Sequence, residues 1–414
     1  MTDPEQQAAG SLFTDDVWRA QWAAEEGHRL VDFARGSRHR DGFGWLDDAG
    51  LIDPGRPVET YITARMTYVF ALAHLLGDED SAELVDHGLT SLSTVLRDEQ
   101  FGGWFHSTRR EDRKEAYDHA FVILAAATAV LAGRPSAQAL LDEALACVES
   151  HFWDSKAGLS RDVWDRRWHT CEPYRGANAN MHLVEAFLAA SDATRDPQWR
   201  DRALGVAQRL IDVEARHQQW RLPEHYDADW QVQLEYNVQA PDHPFRPYGA
   251  TVGHWLEWAR LLVQLHQGLD DPPEWLIADA QALFTTAVNQ GWSVDGEPGL
   301  VYTVDWQGQP VVRQRMHWVL AEGLATASVL ALCTGDRVYR EWESRWWRYA
   351  ELFLIDRERG GWRQELDQAN RPAATVWPGK PDVYHAYQPT ILTRAPLASS
   401  VGAAAASLGG FSRD

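Results

Sequence analysis

The chain has 414 residues, 45% of them hydrophobic, and a formal net charge of −21. Its length allows a large buried core, and the apolar fraction excludes a disordered chain. The acidic balance argues against non-specific nucleic-acid binding and anionic membrane surfaces, and suits a small-molecule partner.

Met1 to Gly10 is polar and acidic, which is not the pattern of a signal peptide. From there the chain alternates helical stretches with short Gly-aromatic-acidic segments. The first of these is Gly42-Phe43-Gly44-Trp45-Leu46-Asp47, followed by Phe101 to Phe105, Gly158 to Asp165, Gln219 to Glu224, Gly299 to Asp305 and Gly360 to Asp367. Six segments about 60 residues apart signal repeated supersecondary units. Between them, Ala64–Leu76, Ala116–Ala132, Asn180–Ala190, Gly253–Leu265 and Met316–Leu332 read as apolar helices. Stretches from about Ser81, Ser136, Pro197, Pro273 and Arg337 read as amphipathic helices. The most apolar run, Ala120 to Ala132, is too short to span a bilayer and reads as a buried helix.

Each unit thus pairs an apolar helix with an amphipathic one, and the Gly-aromatic segment can form a short hairpin. Six such units predict an all-α ring, apolar helices inside, loops gathered at its ends. An open solenoid is the alternative. No Pro/Gly/Ser-rich linker divides the chain, so residues 1–414 read as one domain, with the small-residue tail after Pro396 peripheral. The irregular stretch Glu224 to Thr251 is long enough to suggest a functional loop. The 21 tryptophans suit either a large core or walls that stack on sugar rings.

No Walker loop, nucleophile elbow, Cys-x-x-Cys pair or dinucleotide fingerprint is present. The three cysteines, Cys147, Cys171 and Cys333, are far apart and read as reduced structural thiols of a cytoplasmic protein. His182 with Glu185, and His254 with Glu257, stand at i,i+3. Di-iron bundles use the reverse order, so neither a metal nor another cofactor is expected. What remains is a set of polar residues on apolar helices: Arg65, Asn178, His182, Glu185, His254, Glu257 and Glu322, with His385 after Pro378-Gly379-Lys380-Pro381. Any one alone is more simply a satisfied core group. Together, on the inner helices of a ring, they converge on one cavity, and histidine titrates where it can both take and return a proton.

At these residues the sequence resembles the N-acylglucosamine 2-epimerase superfamily, on its branch of mannose and sulfoquinovose isomerases. The resemblance rests on Thr63-Ala-Arg65-Met, Asp86-His87-Gly88, Arg175-Gly-Ala-Asn178-Ala-Asn180-Met-His182, Glu224-His225, Gly253-His254-Trp255-Leu-Glu257-Trp258 and Asp382-Val-Tyr384-His385. It implies an (α/α)6 barrel with short hairpin loops at one end, and metal-independent aldose–ketose isomerisation through a cis-enediol. It implies His254 and His385 as acid and base, Glu257 and Glu322 as the carboxylates that orient them, and Arg65, Tyr117, Asn178, His182 and Arg246 on the sugar hydroxyls, with Trp318 as a wall. The expected partner is a free monosaccharide, with neither nucleic acid nor membrane, and a homo-oligomer is left open. Gly379-Lys380-Pro381-Asp382 departs from the sulfoquinovose pattern and favours D-mannose, with D-lyxose as a second substrate. The competing activities are a 2-epimerase, a sulfoquinovose isomerase and, more remotely, a glycoside hydrolase on the same barrel.

Overall fold

The computed structural model describes residues 15–410, and the expectation for Met1 to Gly10 lies outside them. In chain order the helices are α1 (Asp16–Ala34), α2 (Thr60–Leu75), α3 (Ser81–Ser93), α4 (Ala116–Leu131), α5 (Ala137–Cys147), α6 (Ala177–Thr194) and α7 (Gln198–Ala207). They continue as α8 (Val252–Gly268), α9 (Trp275–Gly291), α10 (His317–Thr334), α11 (Arg337–Tyr349), α12 (Tyr384–Leu392) and α13 (Val401–Gly409). The even-numbered helices have no solvent face: every side chain of α2 and of α12 is buried. A helix apolar all round must be enclosed by others. α2, α4, α6, α8, α10 and α12 accordingly form a closed inner ring, and α1 to α11 of odd number pack outside it. This is an (α/α)6 barrel.

Five of the six helix pairs follow the periodicity. The sixth joins the chain ends, with α12 packed against α1 and closing the ring between α10 and α2. α12 carries no long apolar repeat because it has only nine residues, with His385, Gln388 and Pro389 among them. The helix α10 is the one described helix long and apolar enough to cross a membrane, and 78% of it is buried within the protein, as befits a ring helix.

The Gly-aromatic segments form the rim. Two-residue strands precede α4, α6, α8 and α10, and each pairs antiparallel with a segment of the next unit. Lys114–Glu115 meets Val163–Trp164, and Ala250–Thr251 meets Thr303–Val304. Neighbouring units are therefore laced together where the inner helices begin.

The tail after Pro396 is not peripheral. Its helix α13 packs against α2, α4 and α6, with Val401, Ala404 and Ala405 buried. Small residues permit a very close approach there: a β-carbon on Gly409 would stand 1.8 Å from the Leu75 carbonyl oxygen. Most large tryptophans serve the core, Trp104, Trp255, Trp258, Trp346 and Trp347 being fully buried, whereas Trp318 and Trp377 line the central cavity.

Candidate active site

At the rim end the inner helices surround a cavity that opens to solvent on one side. Two histidines face it from α8 and α12, each backed by its own buried carboxylate. His254 Nδ1 lies 2.9 Å from both oxygens of Glu224, and His385 Nδ1 lies 2.8 Å from Glu322 Oε1. A carboxylate at Nδ1 accepts its proton and leaves Nε2 for the cavity. The Trp318 indole stands against both rings, with centroids 5.4 Å from His254 and 5.5 Å from His385. Gly253 makes room for it, since a β-carbon there would come within 2.2 Å of the indole.

Burial disfavours the charged form of His385. It is the main cause, with Arg65 next, that holds His385 well below the ordinary histidine range. Burial also brings His182 and His317 down to about 4, against the opposing pull of Glu185 and Asp382 respectively. Across the cavity, Arg65 Nη1 bonds Asp382 at 3.1 Å and Nη2 donates to the Tyr117 hydroxyl at 2.7 Å. Its guanidinium lies 4.4 Å from the Phe121 ring centroid and 4.7 Å from that of Tyr384. Asn178 Oδ1 and Glu257 Oε2 are buried without a hydrogen-bond partner, although both residues line the cavity. Such atoms cost about 1–3 kcal/mol each, so their place on one cavity suits a ligand rich in hydroxyls.

Beneath the floor lies Arg260, with no exposed surface. Its Nε meets Glu322 Oε2 at 2.9 Å, Nη1 meets Glu185 at 3.3 Å and Gln264 at 3.0 Å, and Nη2 meets Glu257 at 3.5 Å. Burial and the neighbouring Glu322 push the Glu257 carboxyl well above the usual range. Burial also opposes ionisation of Glu185, but Arg260, His182 and Tyr384 together outweigh it and hold that carboxyl low. Two donor sets, His182–Glu185–Glu257 and Glu257–Glu322–His385, are compact enough to ligate a metal ion. The guanidinium of Arg260 already touches all three of their carboxylates. A third set, His106, Glu115 and Asp118, lies at the rim. Burial opposes protonation of His106, but Asp118 at 3.0 Å outweighs it and pushes the imidazole up to about 9.

Of the residues singled out in the sequence, Arg65, Tyr117, Asn178, His182, His254, Glu257, Trp318 and His385 line the cavity. Glu322 stands behind His385. The carboxylate that orients His254 is Glu224, thirty positions away across the rim, not Glu257 one turn along the same helix. Its signal was the Glu224-His225 pair, but helical spacing relates only near neighbours. Arg246 lies outside the cavity, in an adjoining pocket that shares Tyr117, Asn178 and Phe245 with it. There Glu172 grips it in a two-pronged pair at 2.9 and 3.0 Å, and it stacks 3.8 Å from the Tyr174 ring centroid. Tyr61, His317, Phe245, Trp377 and Asp382 join the lining without having been singled out as site residues. Phe245 comes from the long loop, which is pinned where His225 Nε2 donates to the Pro247 carbonyl at 2.8 Å.

The N-acylglucosamine 2-epimerase family model matches residues 42–389. A D-mannose isomerase of Thermobifida fusca is 52% identical over 96% of this chain and all of its own length. Another, from Pseudomonas cannabina pv. alisalensis, is 47% identical over 94% of this chain and 95% of its own. A crystal structure of a D-mannose isomerase superposes with a TM-score of 0.84 at 29% identity, covering 90% of this chain and 97% of that one. With the ring, the cavity and its paired histidines already in place, these likenesses identify the chain as a member of the N-acylglucosamine 2-epimerase family.

Proposed function

We propose that this isomerase interconverts D-mannose and D-fructose, and likewise D-lyxose and D-xylulose, through a cis-enediol with no metal ion or other cofactor. The observation that carries this reading is the pair of buried histidines, each with a separate carboxylate at Nδ1, on either side of the Trp318 wall. His385 Nε2 removes the C2 proton of the open-chain aldose while the aldehyde oxygen takes up a proton, which gives the enediol. Loss of the O2 proton and return of a proton from His385 to C1 completes the ketose. His254 opens the ring and carries the hydroxyl protons. Arg65 offsets the charge that develops on the enediolate oxygens. Asn178, His182, Tyr117 and Glu257 hold hydroxyls.

The charge pattern favours a neutral sugar over a sulfonated one. Arg65 is the only arginine or lysine among the cavity-lining residues, and Asp382 already pairs with it. Lys380, in the stretch that departs from the sulfoquinovose pattern, is tied to Asp356 at 2.8 Å and to the Gly360 carbonyl at 2.7 Å. Hydrolysis would need two carboxylates flanking the bond, and only Glu257 of the Glu257–Glu322 pair lines the cavity. The partner is thus a free monosaccharide, handled by the whole chain as one domain in the cytoplasm. Protein stripped with EDTA is expected to form fructose from mannose at the untreated rate. Loss of activity that a divalent ion restores would overturn the metal-free mechanism, and turnover of sulfoquinovose but not mannose would overturn the substrate.

A further inference from the structure

The two histidines are not backed alike. Glu224, the partner of His254, makes no ion pair with arginine or lysine among the described residues; its other bond is a long one from the Thr251 amide at 3.4 Å. Glu322, the partner of His385, divides its oxygens. Oε1 faces His385 at 2.8 Å and Oε2 accepts from Arg260 Nε at 2.9 Å. That guanidinium is fully buried and touches two further carboxylates, Glu185 and Glu257.

We propose that Arg260 is the positioning residue of the site: it holds Glu322 as an anion and, through Glu322, fixes His385 with Nδ1–H donated inward and the Nε2 lone pair facing the sugar. With Glu257 pushed toward its neutral form, Glu185 and Glu322 remain close together and buried, and they would not both stay ionised around anything less than a full charge. Without the guanidinium the Glu322–His385 pair takes up an extra proton. If the proton rests on the imidazole, the base is lost. If it rests on Glu322, the carboxylic acid donates to Nδ1 and turns the N–H of His385 toward the substrate, the wrong tautomer for a base. The charged and titratable groups that also face His385 are Arg65 on α2, His182 on α6, Glu257 on α8, His317 on α10 and Asp382 just before α12, with the Tyr384 ring against it. Of these, Glu257 is itself paired with Arg260, at 3.5 Å.

This inference rests on the proposed role of His385, and Arg260→Lys tests it. Lysine keeps the charge but cannot reach three carboxylates with a fork. The expected result is a folded protein whose kcat on mannose drops roughly 10²-fold at neutral pH and recovers toward alkaline pH. The acidic limb of kcat/KM should move up by about one pH unit. The loss should not add to that of Glu322→Gln in the double variant, because both act through one tautomer. An equal fall at every pH, or full additivity with Glu322→Gln, would reduce Arg260 to a structural role and overturn the proposal. Should Arg260→Lys fail to fold, Arg260→Gln combined with Glu185→Gln removes one carboxylate together with the cation and carries the same comparison. If the wild type turns over neither mannose nor lyxose, the functional reading fails. The imidazole ¹⁵N shifts of His385 in wild type and variant then still decide the tautomer, and unchanged shifts overturn the Arg260 assignment.

Discussion

Replacing His385 by alanine is expected to lower kcat on mannose roughly 10³-fold, since the base proposed to carry the proton between C2 and C1 is gone. The fold should survive. Glu322, left behind, keeps its ion pair with Arg260 at 2.9 Å, so no buried charge is orphaned. His254→Ala should be equally inactive but less stable. Glu224 would then be left buried with only the long Thr251 amide bond. Breaking a buried pair from one side costs about 3–5 kcal/mol unless the remaining group neutralises itself. Steady-state kinetics with thermal unfolding of both variants makes the check. Either protein retaining more than about a tenth of wild-type activity would remove that histidine from the acid/base role. The wild-type pH profile carries the same sign: because burial holds His385 well below the ordinary histidine value of 6.5, its base form persists as pH falls through that value. kcat/KM should therefore hold down to lower pH than an exposed histidine would allow.

Glu224→Gln is expected to cost roughly 10²-fold in kcat, by the logic that an amide no longer enforces one tautomer on the imidazole it faces. Glu257→Gln should cost less. Burial and Glu322 already hold the Glu257 carboxyl in its neutral form, and an amide mimics a neutral acid closely in shape and hydrogen bonding. The contrast separates two geometries. If Glu257 oriented His254, as their spacing along α8 suggests, Glu257→Gln would be the more damaging change. The 2.9 Å contacts from Glu224 predict the opposite order. Kinetics of the two variants side by side, with KM and kcat resolved, decides between them.

The barrel was legible because enclosed helices leave a strong mark: long apolar runs such as Ala120–Leu131, punctuated by glycine-aromatic turns. Its closing pair was not, because α12 is short, interrupted by Pro389 and polar where it meets the site. The tail was misread for a related reason. Alanine and glycine look peripheral by composition, yet here their smallness lets α13 lie directly on the ends of the ring. Within the site, residues on inner helices could be grouped by face, which suggested one cavity for His182 and His254, whereas His385, on the short α12, was reached through the family likeness; all three line the cavity. Partners across the rim could not be found that way. Glu224 reaches His254 because a strand pairing and a long loop bring them together, and Arg260 reads in sequence as one more residue of an apolar helix. Arg246 shows the converse: family likeness puts it on the sugar, but Glu172 holds it one pocket away.

In the proposed mechanism one histidine moves a proton from C2 to C1 through an enediol. Incubating the protein with D-mannose in D₂O and following the sugars by NMR tests it most directly. The mechanism predicts fructose carrying deuterium at C1, introduced as the histidine proton exchanges with solvent during turnover. Glucose as the first product, with deuterium at C2, would contradict it and assign the two histidines to opposite faces of one carbon, the chemistry of a 2-epimerase.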